Sequence, residues 1–566
     1  MSKQKKKSKS PKTTSIPVVD KKSANQCLEN WLANYGKWVI LLGWLFFLIL
    51  YLSLASNELG GVLGGDNVRY LMLARSLAEG KFYKDLYLPK EPAHTQYPIL
   101  FPLLLSPFAK TSHQVFYSHL FIQLLASLIP LFACAWARLE GESRLKSILI
   151  FFLVGSIPAF YTFLLNILTE AIFMFFMFGF FFGKSYSQRE GFNPMSIFIL
   201  IILLVASALV REAGLVLSGA VILGMILEKP FQNFKIAKLP VWFIIGLGFV
   251  LGYLPWQVRN MLVGEPGFYF QQFLQKNPYQ ANSGLIGLKD LIERIVDNLP
   301  LHIPHLGGFA FPQWLFRSPA VIWTVSLIFF GLIILGLGYR LSKRKFSVEL
   351  SFLFLFLLSL VWFFKEARFS LPILPLCPFY FLKGMEWIEN KLKLKIRLAL
   401  LGGIVLAFWQ IGLCFWLGYM YHQTKLYPSS SVLIKGYGSW NQPVIDVSKY
   451  YEYWLYPEAY HQAMSEWIII QKIADEILPK DAVIACRKPT IAWYYAKRKA
   501  TWYKFGVSPE EQWKHLKENN ITHLIITPDN RELIFLVNAF PKHFQLLALS
   551  EKTGMALVKI NTYPDL

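Results

Sequence analysis

Charge is what this chain has least of. Only 16% of its 566 residues are charged, against 54% hydrophobic and 16% aromatic, too little polar surface to cover a soluble globule of that size. Cysteine is also scarce. Cys27, Cys134, Cys377, Cys414 and Cys486 are scattered, and only Cys486 lies clearly in a soluble outer part, so neither an intramolecular disulfide framework nor a cysteine-rich metal site follows. The chain contains no GxxxxGK[ST], no GxGxxG and no HExxH, which leaves nucleotide-driven pumping and zinc hydrolysis without support. An internal repeat of convincing length is missing too, which weakens the case for a transporter built from duplicated halves. The first long apolar run, Trp38 to Ala55, is too long for a signal peptide and lacks a small-residue cleavage site.

What is present is a series of apolar stretches. A membrane crossing needs about 20 such residues, and candidates lie near 38–56, 115–137, 147–165, 167–183, 196–210, 213–227, 240–258, 319–339, 348–364, 369–384 and 397–420. The predicted fold class is therefore a polytopic α-helical membrane protein with about eleven transmembrane helices. The net charge of +22 does not point to nucleic acid. Its lysines and arginines cluster at the start (KQKKKSKSPK), at 138–146, 184–189, 229–238, 340–345 and 391–397. With a cytoplasmic N-terminus and one crossing per stretch, every cluster falls on the cytoplasmic side, as the positive-inside rule asks. Parity then puts the C-terminus outside. The expected domains are a disordered basic cytoplasmic tail over 1–37, a transmembrane domain over 38–420 with outer loops 57–113 and 259–318, and a small extracytoplasmic α/β domain over 421–566. In that last part SEWIIIQKIADEIL and SPEEQWKHLKEN read as helices, and DAVIACR, THLIITP and MALVKI as strands; Ser508, Pro509 and Glu511 form a helix-start signal.

Ionisable residues inside or beside spans are costly and therefore informative. Glu170 opens the fourth span, and Arg211 with Glu212 interrupts the apolar stretch 196–227. One helix of that length would measure about 48 Å, well beyond the ~30 Å hydrocarbon core, so two short helices meeting at Arg211 are expected. Arg259 and Arg368 lie at outer ends of spans, and Asp66 follows the first span in GGDNVRYLMLARSLAEG. The topology sends Asp66, Glu170, Arg211, Arg259 and Arg368 to one membrane face, as a polar cavity opening outward would require. Plainer roles stand beside this one. Asp66 is a good helix N-cap, with Tyr70, Leu73, Ala74 and Leu77 forming an apolar stripe behind it. Glu170 with Arg211, or Arg211 with Glu212, makes a structural ion pair, and Arg259 and Arg368 serve equally as interfacial anchors. The aromatic excess of 48 Phe, 27 Tyr and 18 Trp suits lipid-facing surface. The same first loop adds Arg69, Lys81, Lys84, Lys90 and His94. Cations near a carboxylate, next to a hydrophobic groove, suit a phosphate-bearing lipid, which arginine grips through its planar fork.

The ordered series GGDNVRYLMLARSLAEG, HTQYPILFPLLLSPF, LTEAIF, LVREAGL, PWQVRN and EARFSLPILP resembles the GT-C superfamily of integral membrane glycosyltransferases. Its nearest likeness is to protein O-mannosyltransferases, lipid A aminoarabinose transferases and bacterial family-39-like enzymes. The resemblance covers about Trp38 to Pro375. It implies a polyprenyl-phosphate-linked sugar donor, a glycan, lipid or protein acceptor reached from the outer side, contact with membrane lipids, and an acidic residue matching Asp66. The chain departs from the pattern at Asn67, where many members have a second acid, so a divalent cation has no support in the sequence. It has Gln96-Tyr97-Pro98 where the aminoarabinose enzymes have a lysine beside a proline pair, and it lacks WWDYG, the mark of en bloc transfer to asparagine. The implied chemistry makes Asp66 the general base, with Glu170 as the second candidate acid. Arg368, Arg259 and Arg211, in that order, and then Arg69, Lys84 and His94, are the candidates for holding phosphate and stabilising its departure. The expected location is the plasma (inner) membrane of a bacterium. Two other classes fit the same charges: a transporter or flippase for a lipid-linked or anionic substrate, and a membrane-anchored binding protein whose tail does the work.

Overall fold

The computed structural model describes residues 21–57, 59, 65–228, 235–236, 239–263, 272–278, 284–394, 397–425, 458–549 and 554–564. Each of the eleven apolar stretches carries helix. Five helices among the described residues are long and apolar enough to cross a membrane: Asn30–Leu52, Gln114–Leu139, Val241–Leu262, Pro319–Ser342 and Leu398–His422. The others are shorter or broken, and the breaks have local causes. Pro130 follows a joint at Leu128; Ser156 and Pro158 separate Arg144–Gly155 from Pro158–Phe163. Arg211, in extended conformation, separates Pro194–Val210 from Ala213–Leu227. Pro372 and Pro375 hold Ala367–Leu376 in a 3-10 helix before Cys377–Lys391, since proline removes a backbone donor and clashes with the preceding turn.

Two expectations need correction. The segment 1–37 is not disordered throughout: a helix runs from Lys21 to Leu52, and within it Leu32 is buried and Trp31 packs on Tyr35 at 5.4 Å. Alanines and leucines at helical spacing among the polar residues favour that extension; residues 1–20 lie outside the described part. The stretch 259–318, read as an outer loop, contains a 20-residue helix, Leu288–Gly307, which hydropathy misses because Lys289, Asp290, Glu293, Arg294 and Asp297 interrupt its apolar residues.

Charge separates the two ends of the bundle. The helix Glu170–Glu190 starts at Glu170, beside Arg211, and near its other end Lys184 lies 3.5 Å from Glu228. Toward that second end Arg340 joins Glu140 and Glu349, each at 2.7 Å, and Lys345 meets Glu140 at 3.2 Å. Lys383 and Lys146 pair there with Glu142 and Glu386. These are the cation clusters that the sequence assigned to one side.

Residues 458–564 add a five-stranded sheet in the order β4-β3-β5-β7-β6, made of Val483–Ala485 (β3), Lys499–Thr501 (β4), His523–Ile526 (β5), Phe544–Leu549 (β6) and Ala556–Ile560 (β7). β1 and β2 are the two-residue pair Lys235–Ile236 and Leu239–Pro240. β3 runs parallel to β4 and β5, while β7 runs antiparallel to β5 and β6. Ser508 caps the helix Pro509–Glu518 by accepting from the Glu511 N–H. Edge strand β4 is not left open, a liability for any sheet. The Ala500 N–H donates to the Tyr87 carbonyl at 2.8 Å, and Lys499 Nζ donates to the Leu86 carbonyl at 2.6 Å and pairs with Glu91. Trp502 meets Tyr87 edge to face at 5.6 Å. The segment that follows the first span thus finishes the sheet.

Candidate functional site

A cavity of about 1660 Å³ opens between the bundle and this sheet unit. The helix Gly65–Ala78 brings Asp66 to it, with Tyr70, Leu73 and Ala74 buried beneath. Gly65 suits its place because a Cβ there would come within 2.9 Å of Thr490 Oγ1; Gly64, expected to share the turn, lies outside the described residues. Asp66 sits in the first turn, and its carboxylate is committed elsewhere. Oδ1 accepts from the Tyr97 hydroxyl at 2.7 Å, and Oδ2 accepts from Arg368 Nη2 at 3.0 Å. Burial pushes the Asp66 carboxyl up, but Arg368, the Tyr97 hydroxyl and Arg69 together outweigh it and hold the group below the usual aspartate range.

Arg368 bridges two acids, since its Nε also lies 2.7 Å from Glu366. Its 3-10 segment is gripped by one face of Leu288–Gly307. On that face, Arg294 donates to the Phe273 carbonyl at 3.1 Å and the Gln275 carbonyl at 2.5 Å. Asn298 Nδ2 donates to the Leu360 and Trp362 carbonyls, both at 2.9 Å. The Ser370 hydroxyl lies 2.9 Å from His302 Nδ1 and 2.8 Å from His305 Nδ1. Residues 294, 298, 302 and 305 share one stripe at helical spacing, and the first three are buried. Asn298→Ala is expected to orphan two buried carbonyls, at a cost of about 1–3 kcal/mol. The melting temperature, read by intrinsic fluorescence, should fall; an unchanged value would mean that these carbonyls find water instead.

Glu170 and Arg211 also line the cavity, paired at 2.5 Å, with Arg211 Nη1 donating to Thr169 Oγ1 at 3.2 Å. The Phe369 ring lies 5.2 Å from the Arg368 guanidinium and 5.7 Å from that of Arg211. Exposure distinguishes the two ion pairs. Asp66 and Arg368 are 32% and 24% exposed, whereas Glu170 is 1% exposed. In the first pair both partners are partly open, whereas in the second Glu170 is sealed and only Arg211, 18% exposed, reaches the cavity; Glu170 Oε2 has no hydrogen-bond partner.

Three candidates are placed otherwise than expected. Arg259 does not line the cavity; its guanidinium donates to the His94 carbonyl and to Asn260 Oδ1, bracing the first loop from behind. Lys84 is exposed and lies off the cavity wall. His94 reaches the wall, but both its ring nitrogens are engaged: Nδ1 contacts Asp85 at 3.0 Å and Nε2 accepts the Tyr97 N–H at 2.8 Å. Burial pushes its imidazole down to about 4 against the pull of Asp85, so at neutral pH it is not a phosphate-binding cation. Arg69 is on the wall yet tied to the same loop, donating to Gln96 at 2.7 Å and to the Tyr87 hydroxyl at 3.3 Å.

A pH dependence follows from His94. A free imidazole protonates near 6.5, whereas the docked one stays neutral to about 4. Docking of this loop is therefore at full strength above pH 6.5 and weakens as pH falls toward 4. Protection of the Tyr97 amide from deuterium exchange, corrected for intrinsic rate, should drop between pH 7.5 and 5. Equal protection at both values would refute the assignment.

The sequence pointed to no residue of the sheet unit, yet Arg487, Lys488, Trp502, Lys504 and Phe505 line the cavity's lip. A recoverable signal was RKPT at 487–490, two cations directly before a helix-initiating proline. No group of three or more His, Cys, Asp or Glu residues suited to a metal occurs among the described residues.

The architecture aligns with solved membrane proteins along nearly the whole chain. The apo structure of ArnT from Cupriavidus metallidurans matches with a TM-score of 0.54 at 14% identity, over 95% of this chain and 99% of that one. The chain has a GT-C fold. ArnT of the same organism bound to undecaprenyl phosphate matches at 0.51 and 13% identity, over 94% and 98% of the two chains. The Archaeoglobus fulgidus oligosaccharyltransferase, tethered with an acceptor peptide containing the NVT sequon, matches at 0.52 and 11% identity, over 93% of this chain and 74% of that one. No protein-family model and no curated protein matches the sequence. Likeness at these identities concerns the fold, and the long apolar helices accord with an integral membrane protein.

Proposed function

We propose that the protein is a glycosyltransferase that moves a monosaccharide from a polyprenyl-phosphate donor to an acceptor at the outer face of the membrane. The observation that carries this reading is the Asp66–Arg368 pair, joined across 302 residues of sequence and partly exposed in a cavity of mixed lining. On the bilayer side the lining is apolar, with Leu168, Val210, Leu215, Leu355 and Leu358; on the other side it is the polar and aromatic lip. A lipid tail suits the first and an acceptor the second, with the reacting groups between. A fold shared with a protein solved bound to undecaprenyl phosphate supports the lipid.

The donor phosphate takes Arg368 from Asp66. That exchange removes the main force that holds the carboxylate acidic, so Asp66 becomes a better base when the substrate is in place. Asp66 then accepts the proton of the acceptor hydroxyl. The hydroxyl oxygen bonds to the anomeric carbon from the face opposite the phosphate, and the carbon–oxygen bond to phosphate breaks with inversion. Its electron pair leaves on the lipid phosphate, where Arg368 meets the growing charge without solvent reorganisation. Arg211, held by Glu170, is the second cation near that charge.

The same reading places the N-terminus in the cytoplasm and the sheet unit outside, after eleven crossings of a bacterial inner membrane, with 38–420 carrying the chemistry and 421–566 covering it. Purified protein given radiolabelled sugar on polyprenyl phosphate should pass label to an acceptor, or slowly to water. Movement of the lipid between leaflets with its glycosyl bond intact would instead establish a transporter.

A further inference from the structure

We propose that Phe82 is a bilayer wedge: its ring enters the lipid surface at the end of the bundle that holds the Asp66 cavity, and ties the segment 81–97 to the membrane. The backbone there calls for a reason. Phe82 and Tyr83 stand consecutively in the left-handed region, at φ +55° and +65°, a conformation that bulky side chains rarely adopt. Tyr83 has its reason inside the protein. It is 1% exposed, its hydroxyl donates to the Tyr97 carbonyl at 2.8 Å, and its own carbonyl accepts the His94 N–H at 2.8 Å. Phe82 is the opposite case: it is 85% exposed, at a position where asparagine would take the same backbone with less strain and remain in water.

The neighbour of Phe82 fixes its depth. The Tyr83 ring meets Trp256 edge to face at 5.8 Å, and the Arg259 guanidinium lies 5.6 Å from the same ring. Trp256 and Arg259 belong to the end of Val241–Leu262, a helix long and apolar enough to cross a membrane. The segment is docked on the face of that helix where Tyr253, Trp256 and Asn260 are buried. On other positions Leu254, Val258, Met261 and Leu262 are exposed, an apolar stripe at helical spacing that runs to the end of the helix. Lipid is the medium that suits such a stripe on a spanning helix. Phe82 therefore stands at the level where this span leaves the hydrocarbon, the depth at which aromatic rings settle in membrane proteins. Charge does not select the lipid. Lys81 lies 3.4 Å from Glu79 and 3.7 Å from Glu91, so the contact is apolar and needs no anionic headgroup. The same segment carries the Tyr97 hydroxyl to Asp66, and the wedge thus anchors one wall of the cavity to the bilayer. The inference requires that the bundle spans a membrane, not that it transfers sugar.

The test is the depth of position 82 in the full-length protein, reconstituted in nanodiscs of palmitoyl-oleoyl phosphatidylcholine. A nitroxide is attached to Phe82→Cys, to Leu262→Cys as the lipid reference, and to Lys514→Cys, exposed on the helix Pro509–Glu518, as the water reference. Each carries Cys27→Ser; Cys134, Cys377, Cys414 and Cys486 are buried. Power saturation then reads collisions with oxygen and with a polar nickel chelate. The chelate should reach position 82 about tenfold less than position 514, because an apolar medium excludes a polar reagent, while oxygen should reach it as it reaches position 262. Water-like collisions at 82 or at 262 would overturn the proposal. So would exclusion of both reagents from 82, which would show that a second copy or another protein covers the ring. Deuterium exchange tests the anchoring with unlabelled protein. Phe82→Asn suits the left-handed backbone and should speed exchange of the Asp85 and His94 amides, which join the two arms of the segment, about tenfold; Phe82→Trp should keep the native rate. Unchanged exchange in Phe82→Asn would overturn the proposal as well. Neither measurement involves sugar transfer, so failure here leaves the transferase reading standing, and a lipid-like depth in a protein that never releases sugar from a donor would count against that reading alone.

Discussion

Asp66→Asn should lower sugar transfer roughly 10²–10⁴-fold in a protein that still folds and inserts. The amide keeps much of what the carboxylate does for structure. Its oxygen still accepts from the Tyr97 hydroxyl, now at 2.7 Å, and loss of a negative charge in a first helical turn costs only about 0.3–1 kcal/mol. What it cannot do is accept a proton from a hydroxyl. Arg368 keeps Glu366 at 2.7 Å, so the phosphate-binding fork stays in place. Donor affinity should hold or rise, because the phosphate no longer competes with Asp66 for the guanidinium. Native mass spectrometry for bound lipid and a turnover assay separate the two effects. Near-normal transfer by a well-folded variant would leave Asp66 a structural residue and turn attention to Glu170, whose Oε2 is buried without a partner.

Arg368→Lys should weaken donor binding by roughly 10–100-fold, the value of one hydrogen bond to a charged group. The guanidinium donates to Asp66 through Nη2 and lies 2.7 Å from Glu366 at Nε, and a single ammonium cannot present a planar fork to a phosphate. Charge is conserved and the site is partly open, so insertion and folding should survive. Transfer at saturating donor should also fall, since the fork is aimed at charge that grows as the phosphate departs. Equal donor affinity in the variant would return Arg368 to the role of an interfacial anchor.

Part of this site was legible because topology constrains charge. The lysine and arginine clusters set a parity, and parity sent Asp66, Glu170, Arg211 and Arg368 to one face, where they line one cavity. Arg259 fulfilled the same premise and still ended behind the wall, because its guanidinium reaches the His94 carbonyl, a partner fixed by the path of a loop. His94 looked like a cation and is a buried neutral acceptor, for the same reason. The helix Leu288–Gly307 escaped a hydropathy reading, yet Arg294, Asn298, His302 and His305 repeat at helical spacing and a search for polar stripes would have found them. Trp502 and Phe505 left no comparable trace: that a strand edge would dock on Tyr87 depends on how two distant parts of the chain meet.

The covering of β4 by the first outer loop also has a meaning in time. Asp66 and Arg368 are synthesised well before Ala500 and the wall that carries Arg487 through Phe505. Until that wall arrives, the cavity that holds Asp66 and Arg368 lacks one side and the Tyr87 carbonyl has no Ala500 N–H to accept. A half-made copy therefore has the Asp66–Arg368 pair but not the side of the cavity lined by Lys488, Trp502 and Phe505. In the transferase reading, order of manufacture leaves the Asp66–Arg368 pair uncovered until β4 has docked, and a copy that stops short of β4 never covers it.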